Sequence, residues 1–285
     1  MSSDTWGLTG GEELAPGLVV LKDLGGGVAY EVWLAHDERL LAPVVVKVVR
    51  PSKVDDVDTR LSFDREVALL SRLNHPGLTR LFAYDDEGER PYLVLEHVEG
   101  TTLSQQIGRF GALSAHQLYA VALELASSLH YLAGEGVAHL DVKPSNIIAG
   151  SPAKLIDLSV AMGLDEAAAL DHPVGSEEYM APEQCAPGER GAVPGTASDV
   201  WGLGATLFRA ACGFRAFDQD VEFPQLREAP KAMPTSVDPR FQRIVLDCMA
   251  PDPADRPAPR AVADRLEPLI ATLPSARLSG FSLRG

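Results

Sequence analysis

Cysteine is scarce in this 285-residue chain, which carries only Cys185, Cys212 and Cys248. An odd number of thiols with no CxxC spacing indicates neither a disulfide framework nor a zinc site. Cys212 and Cys248 sit in apolar helical patterns, where a thiol behaves as a small buried hydrophobe. Long apolar runs are missing as well: no stretch approaches the ~18 uninterrupted apolar residues of a spanning helix. The start, Met1-Ser2-Ser3-Asp4, has neither the basic residues nor the apolar run of a signal peptide. The expectation is a soluble, cytoplasmic protein with no membrane partner. Positive charge is in short supply, with 25 Lys and Arg against 40 Asp and Glu, a net charge of −15. Nucleic acid is held by clustered Lys and Arg, so no nucleic-acid partner is expected and basic partners suit the charge better. Internal repeats and low-complexity tracts are absent. What the chain does have is 46% apolar residues, enough for two lobes that share one cleft.

The most informative stretch is His139-Leu140-Asp141-Val142-Lys143-Pro144-Ser145-Asn146. It is short and turn-rich, and it lies between a long helical pattern and an apolar run. Its chemistry suits phosphoryl transfer: Asp141 can orient a hydroxyl and take its proton, Lys143 can stand beside the moving phosphate, and Asn146 offers Mg²⁺ an oxygen. Downstream, Lys154-Leu155-Ile156-Asp157 supplies a second carboxylate for the metal. This set resembles a protein kinase, with the loop lysine of the serine/threonine branch. The composition, rich in Ala, Gly, Pro, Val and Leu, is similar in style to a soluble bacterial, actinobacterial kinase of the eukaryotic-like (Hanks-type) class.

The resemblance implies an α+β, bilobal fold, with a five-stranded antiparallel lobe carrying one helix and a larger, mostly helical lobe. The expected boundaries are a loose leader over 1–17, a kinase domain over 18–272 with its lobes at 18–98 and 99–272, and a flexible tail over 273–285. Leu18-Val19-Val20-Leu21 reads as a strand, then comes Gly25-Gly26-Gly27, then the alternating Tyr30-Glu31-Val32-Trp33-Leu34. Glycines let backbone N–H groups approach phosphate oxygens, although an ordinary glycine-rich hairpin has the same look. Residues 43–49 form a β-branched run with Lys47 in the middle, and a buried lysine needs a partner. Residues 60–73 read as a helix with Phe63, Val67 and Leu70 on its apolar face and Glu66 at the border. Taken alone, Lys47 could be an edge-strand lysine and Glu66 a solvated carboxylate. The resemblance instead pairs them and sets Lys47 on the α/β-phosphates of ATP. It further implies ATP contacts from Leu24, Gly25, Gly26, Gly27 and Val32, and hinge contacts through the backbone of Glu96 and Val98, with Leu95 setting the pocket depth. Asn146 and Asp157 would hold Mg²⁺.

In the larger lobe, Ser114 and Gln117 form a capping box ahead of a long helical pattern that Gly134 and Gly136 end. His139 reads as a buried structural ring rather than an acid–base group. From Asp157 to Glu183 the chain holds seven acidic residues and no Lys or Arg, and its end resembles a substrate-docking activation segment. The resemblance also pairs Glu183 with Arg256 in a buried ion pair and uses Asp199 to cap the catalytic loop.

Three positions depart from the family. Tyr30 stands where the glycine loop has its third glycine, Leu140 replaces the arginine that grips a phosphorylated activation segment, and Asp157-Leu158-Ser159 replaces Asp-Phe-Gly. The segment's hydroxyl residues are Ser159, Ser176 and Tyr179, all near its ends. Activity independent of activation-loop phosphorylation is therefore expected. The implied activity is transfer of the γ-phosphate of ATP to Ser or Thr of protein substrates. The rival readings are a pseudokinase acting as a nucleotide-binding scaffold and a small-molecule phosphotransferase of the same fold.

Overall fold

The structure, a computed structural model, describes residues 4–218 and 220–273. The expected tail beyond residue 273 lies outside them. Strands β1 (Glu13–Ala15), β2 (Leu18–Gly26), β3 (Tyr30–Asp37), β4 (Ala42–Val49), β5 (Leu81–Asp85) and β6 (Tyr92–Glu96) form one antiparallel sheet in the order β1-β2-β3-β4-β6-β5. The five expected strands are present and β1 adds a sixth. Its source is the supposed leader, which is built into the lobe from residue 4 onward. Trp6 donates its ring N–H to the carbonyl of Val49 at 2.8 Å and its backbone N–H to Glu31, while Leu14 is buried against Val20 and Val46. An indole with its N–H satisfied is what ties down a polar, glycine-rich segment. Composition alone hides it.

Helix α1 (Val57–Arg72) crosses the sheet and begins three residues before the sequence pattern suggests. The cause is Asp56, whose carboxylate accepts the Thr59 N–H at 3.0 Å, an N-cap outside the apolar periodicity. Its Phe63 and Leu70 bury against the sheet and the larger lobe.

The larger lobe holds α2 (Leu103–Phe110) and α3 (Ala115–Gly134), each opened by a capping box, at Thr102/Gln105 and at Ser114/Gln117. Short strands follow: β7 (Val137–Ala138), β8 (Ile147–Ile148), β9 (Lys154–Leu155) and β10 (Met162–Gly163). They pair as β7 with β10 and β8 with β9, so the stretch 139–146 runs as a loop from the outer pair into the inner hairpin. Helices α4 (Leu164–Ala168), α5 (Pro182–Cys185), α6 (Thr196–Cys212), α7 (Pro239–Cys248) and α8 (Pro259–Ala271) complete it. Nearly all of α6 is buried, as an all-round apolar helix at a lobe centre must be.

Glu183 and Arg256 form the expected buried pair, bidentate at 2.6 and 2.9 Å with side chains 1% and 0% exposed. Ser198 donates to the same carboxylate, and the guanidinium also donates to the carbonyls of Ala197, Ala250 and Pro251. Every polar atom at this site has a partner, so removing one member strands the other. Arg256→Ala should lower unfolding free energy by about 3–5 kcal/mol, read by chemical denaturation. A loss below about 1 kcal/mol, the size of an exposed pair, would contradict this.

Candidate active site

The β-branched run of β4 carries Lys47 onto the inner face of the sheet, paired in register with Val32 and Leu93. The ammonium is nearly buried and meets two carboxylates: Glu66 of α1 at 2.7 Å and Asp157 at 2.9 Å. Burial works against the charge, but the two carboxylates outweigh it and raise the Lys47 pKa. Burial likewise opposes the charge on Asp157, yet Lys47 and the hydrogen bonds from Lys47 and Ser159 hold its carboxyl well below the usual range. Both groups are charged in the cleft at neutral pH.

Tyr30, at the missing third glycine, is buried with its ring 4.3 Å from the Lys47 ammonium, a cation–π contact. Burial pushes its phenol up to about 12, with Lys47 working the other way, so it stays protonated. The glycine turn has a steric cause at one position. A Cβ on Gly26, whose φ is +152°, would lie 2.2 Å from the Tyr30 carbonyl.

A cavity of about 370 Å³ opens between the lobes. Leu24 and Val32 roof it; Leu95, Glu96, His97 and Val98 form its back edge; Asn146 and Asp157 lie at its inner end. The Glu96 side chain is tied to Lys154 at 2.6 Å, which leaves the hinge backbone to face the cavity. Gly25 and Gly26 end β2 and Gly27 opens the turn after it, and none of the three is part of the lining. The sequence reading missed Val45, Thr79, Ile148 and Ile156, which also line it. Val45 was within reach of pattern reading, since it lies two residues from Lys47 on the same strand face. Thr79 was not: it precedes β5 in an irregular segment, and its hydroxyl is buried with no hydrogen-bond partner.

Below the cavity the catalytic loop is held from beneath. Asp199 of α6 accepts the backbone N–H groups of His139 and Leu140 at 2.8 and 2.7 Å. Burial raises the Asp199 pKa to about 7 against the pull of those two donors. His139 is fully buried, its Nδ1 accepting the Asp141 N–H at 3.3 Å, and burial lowers its pKa, so the ring is neutral. Asp141 uses one oxygen, Oδ2, for Lys143 at 2.7 Å and for the Asn146 amide at 3.0 Å. Its other oxygen, Oδ1, is buried and has no hydrogen-bond partner. A buried carboxylate oxygen left open is costly unless something comes to it. Because the Asn146 amide nitrogen donates to Asp141 twice, its carbonyl oxygen is the atom turned to other use.

These residues fit ATP with a divalent ion. The described residues contain no group of three or more His, Cys, Asp and Glu able to hold a metal by themselves. Asn146 and Asp157 would supply two oxygens, which suits a Mg²⁺ whose remaining ligands are phosphate and water.

The activation segment is clasped by apolar contacts where the family uses charge. Leu140, with φ +62°, is buried among Ala138, Met162 and Ala167, so the loop, β10 and α4 share a small core. Gly175 closes over it, where a Cβ would lie 2.5 Å from the Leu140 carbonyl, and Gln184 donates to that carbonyl at 2.8 Å. Ser62 of α1 donates to the Ser159 carbonyl at 2.7 Å, and Arg65 pairs with Glu166 of α4. Leu158 packs into the core that holds Leu70.

The family model for the protein kinase domain matches residues 18–265. The chain belongs to the protein kinase family. Among similar proteins are the serine/threonine-protein kinase PknB of Mycolicibacterium smegmatis, 30% identical over 253 residues, and PrkC of Bacillus subtilis, 28% identical over 262 residues. The first match covers 82% of this chain and the second 86%, and each covers 39% of the relative. PknA of Mycobacterium tuberculosis is 30% identical over 244 residues, 81% of this chain and 56% of that protein. The chain thus spans about two fifths of the length of PknB and PrkC. Mycobacterial proteins among the relatives agree with the actinobacterial character of the composition.

If the apolar contacts around Leu140 hold the activation segment in place of a phosphate, removing phosphate should not matter. A sample stripped by phosphatase, with complete removal verified by mass, should keep its phosphotransfer rate within about twofold, well short of the tenfold that 1.4 kcal/mol would give. Loss of most of the rate would contradict the apolar clasp.

Proposed function

We propose that this chain is an ATP-dependent protein kinase that transfers the γ-phosphate of ATP to Ser or Thr hydroxyls of protein substrates. The observation that carries the reading is the unpartnered carboxylate oxygen of Asp141. It stands beside Lys143 and Asn146, with the Lys47–Glu66–Asp157 set across the cleft.

In this reading the apolar roof of Leu24 and Val32 and the backbone of Glu96 and Val98 bind the adenine. Lys47, kept charged and aimed by Glu66, holds the phosphates. Mg²⁺, when bound through Asn146 and Asp157, neutralises phosphate charge. Asp141 Oδ1 accepts the hydrogen of the substrate hydroxyl and so turns its oxygen toward the phosphorus. As the new O–P bond forms and the bond to the ADP oxygen breaks, Asp141 takes the proton and Lys143 offsets negative charge on the moving group. The rate comes mainly from positioning and electrostatics.

A pseudokinase scaffold is not favoured, because the base, the phosphate lysine and both metal-binding side chains are all present. A small-molecule phosphotransferase is less well supported than a protein kinase, because residues 175–183 resemble the substrate-docking end of an activation segment and their Ser176 reaches Lys143 beside Asp141. A cytoplasmic setting fits the free thiols Cys185, Cys212 and Cys248 and the finding that no helix among the described residues is long and apolar enough to cross a membrane. A net charge of −15 favours basic proteins at the encounter step, through the long-range field.

The test is transfer of labelled γ-phosphate to a basic protein by the chain and by Asp141→Asn. The variant should lose roughly 10²–10⁴ in rate, and wild-type turnover should fall as salt screens the encounter. Equal rates in the two proteins would remove Asp141 as the base, and silence of both with ATP still bound would favour the scaffold.

A further inference from the structure

Next to the catalytic loop and outside the ATP cleft lies a second cavity of about 640 Å³, walled by Lys143, Ser145, Ser176, Glu178, Arg209 and Arg215 among others. It adjoins the reacting centre, since Lys143 Nζ lies 2.7 Å from Asp141 Oδ2 and 2.6 Å from Ser176 Oγ. A peptide with its hydroxyl at Asp141 would lay neighbouring residues into this space, because each extended residue advances only about 3.3–3.6 Å.

The charges in its wall are unequal in what they have to bind. Glu178 is paired with Arg215 at 2.7 Å, Asp218 is paired with Lys231, and Glu177 accepts the Phe223 N–H at 3.2 Å. Arg209 differs. It stands in the last turn of α6, half-buried, and makes no ion pair among the described residues, and its Nε is buried with no hydrogen-bond partner. Its charge reaches the Tyr179 hydroxyl across the cavity wall, working against the burial that raises that phenol's pKa. The carbonyl end of a helix favours a cation nearby, but it accepts no bond from this nitrogen. A guanidinium that lines a cavity and makes no ion pair calls for a carboxylate or phosphate, its best-matched acceptors.

We propose that this cavity binds the anionic side chain of an acidic or phosphorylated residue flanking the acceptor hydroxyl, with Arg209 as the specificity-determining residue. The proposal rests on the kinase reading and narrows it. The acidic field of the whole chain draws basic proteins to the encounter, while at this one subsite the substrate carries negative charge.

The test uses the full chain with Mg²⁺ and ATP and a set of Ser-acceptor peptides with alanine flanks. One flanking position at a time carries Asp, phosphoserine or Lys. At one position the kcat/KM for Asp or phosphoserine should exceed that for Lys by about tenfold or more, the scale of a partly buried charge-assisted contact. The ratio should fall toward unity in Arg209→Ala and invert in Arg209→Glu, an inversion that misfolding cannot produce. Phosphoserine above Asp identifies phosphate as the preferred anion, and Asp equal to phosphoserine identifies any anion; both support the subsite. Anisotropy of the same labelled peptides with a non-hydrolysable ATP analogue reads the cavity without turnover. Arg209-dependent binding without transfer would keep the subsite and overturn the kinase reading. A wild-type preference for Lys at every position, or a ratio unchanged by both substitutions, would overturn the subsite.

Discussion

A buried ammonium has to be paid for with carboxylates, and much of this structure follows from where they come from. Lys47 lies on β4, Glu66 on α1, and Asp157 after β9 in the larger lobe. Holding all three together fixes the rotation of α1 against the sheet and the closure of one lobe on the other. Glu66 is almost fully buried, so its charge is tolerable only while Lys47 is beside it. Tyr30 adds a ring face to the same ammonium. The helix that carries Glu66 is fastened again by Ser62 to Ser159 and by Arg65 to Glu166, so the cleft and the activation segment are set as one unit.

The larger lobe solves a related problem below the catalytic loop. A loop that carries reactive groups exposes backbone donors with no strand to satisfy them. Asp199, projecting from the buried helix α6, accepts two of these, and Glu183 with Arg256 locks the segment that follows. Where the family pattern has an arginine before the catalytic aspartate, Leu140 joins a small apolar core with Met162 and Ala167. Apolar burial needs no modification to switch it on. The substitution therefore changes how the segment is held without removing a group from the reacting centre.

The candidate catalytic set was legible because its residue types are unusual for their settings. A lysine inside a β-branched strand, and an aspartate, lysine and asparagine in one short turn, call for an explanation from chemistry. The expected pairs Lys47 with Glu66 and Glu183 with Arg256, and the Asp199 cap, are all present as contacts. Segments held by single tertiary contacts were not legible. Residues 4–17 looked like a leader because their order comes from Trp6 and Leu14 reaching distant partners. The early start of α1 came from a cap rather than from periodicity, and short elements such as β10 and α4 leave no periodic signal. Arg209 was hidden for a similar reason: within α6 it reads as a favourable C-terminal cation, and only the fold shows that it faces a cavity beside Lys143.

The central claim is that Lys47, held by Glu66 and Asp157, forms an active cleft without any modification. The most direct measurement is single-turnover γ-phosphate transfer, at saturating ATP and Mg²⁺, by unphosphorylated wild type and by Glu66→Gln. The wild type should be competent and the variant slowed by roughly 10-fold or more, because the amide keeps the shape but gives up the charge that aims Lys47. A variant as fast as wild type, with its fold intact, would contradict it.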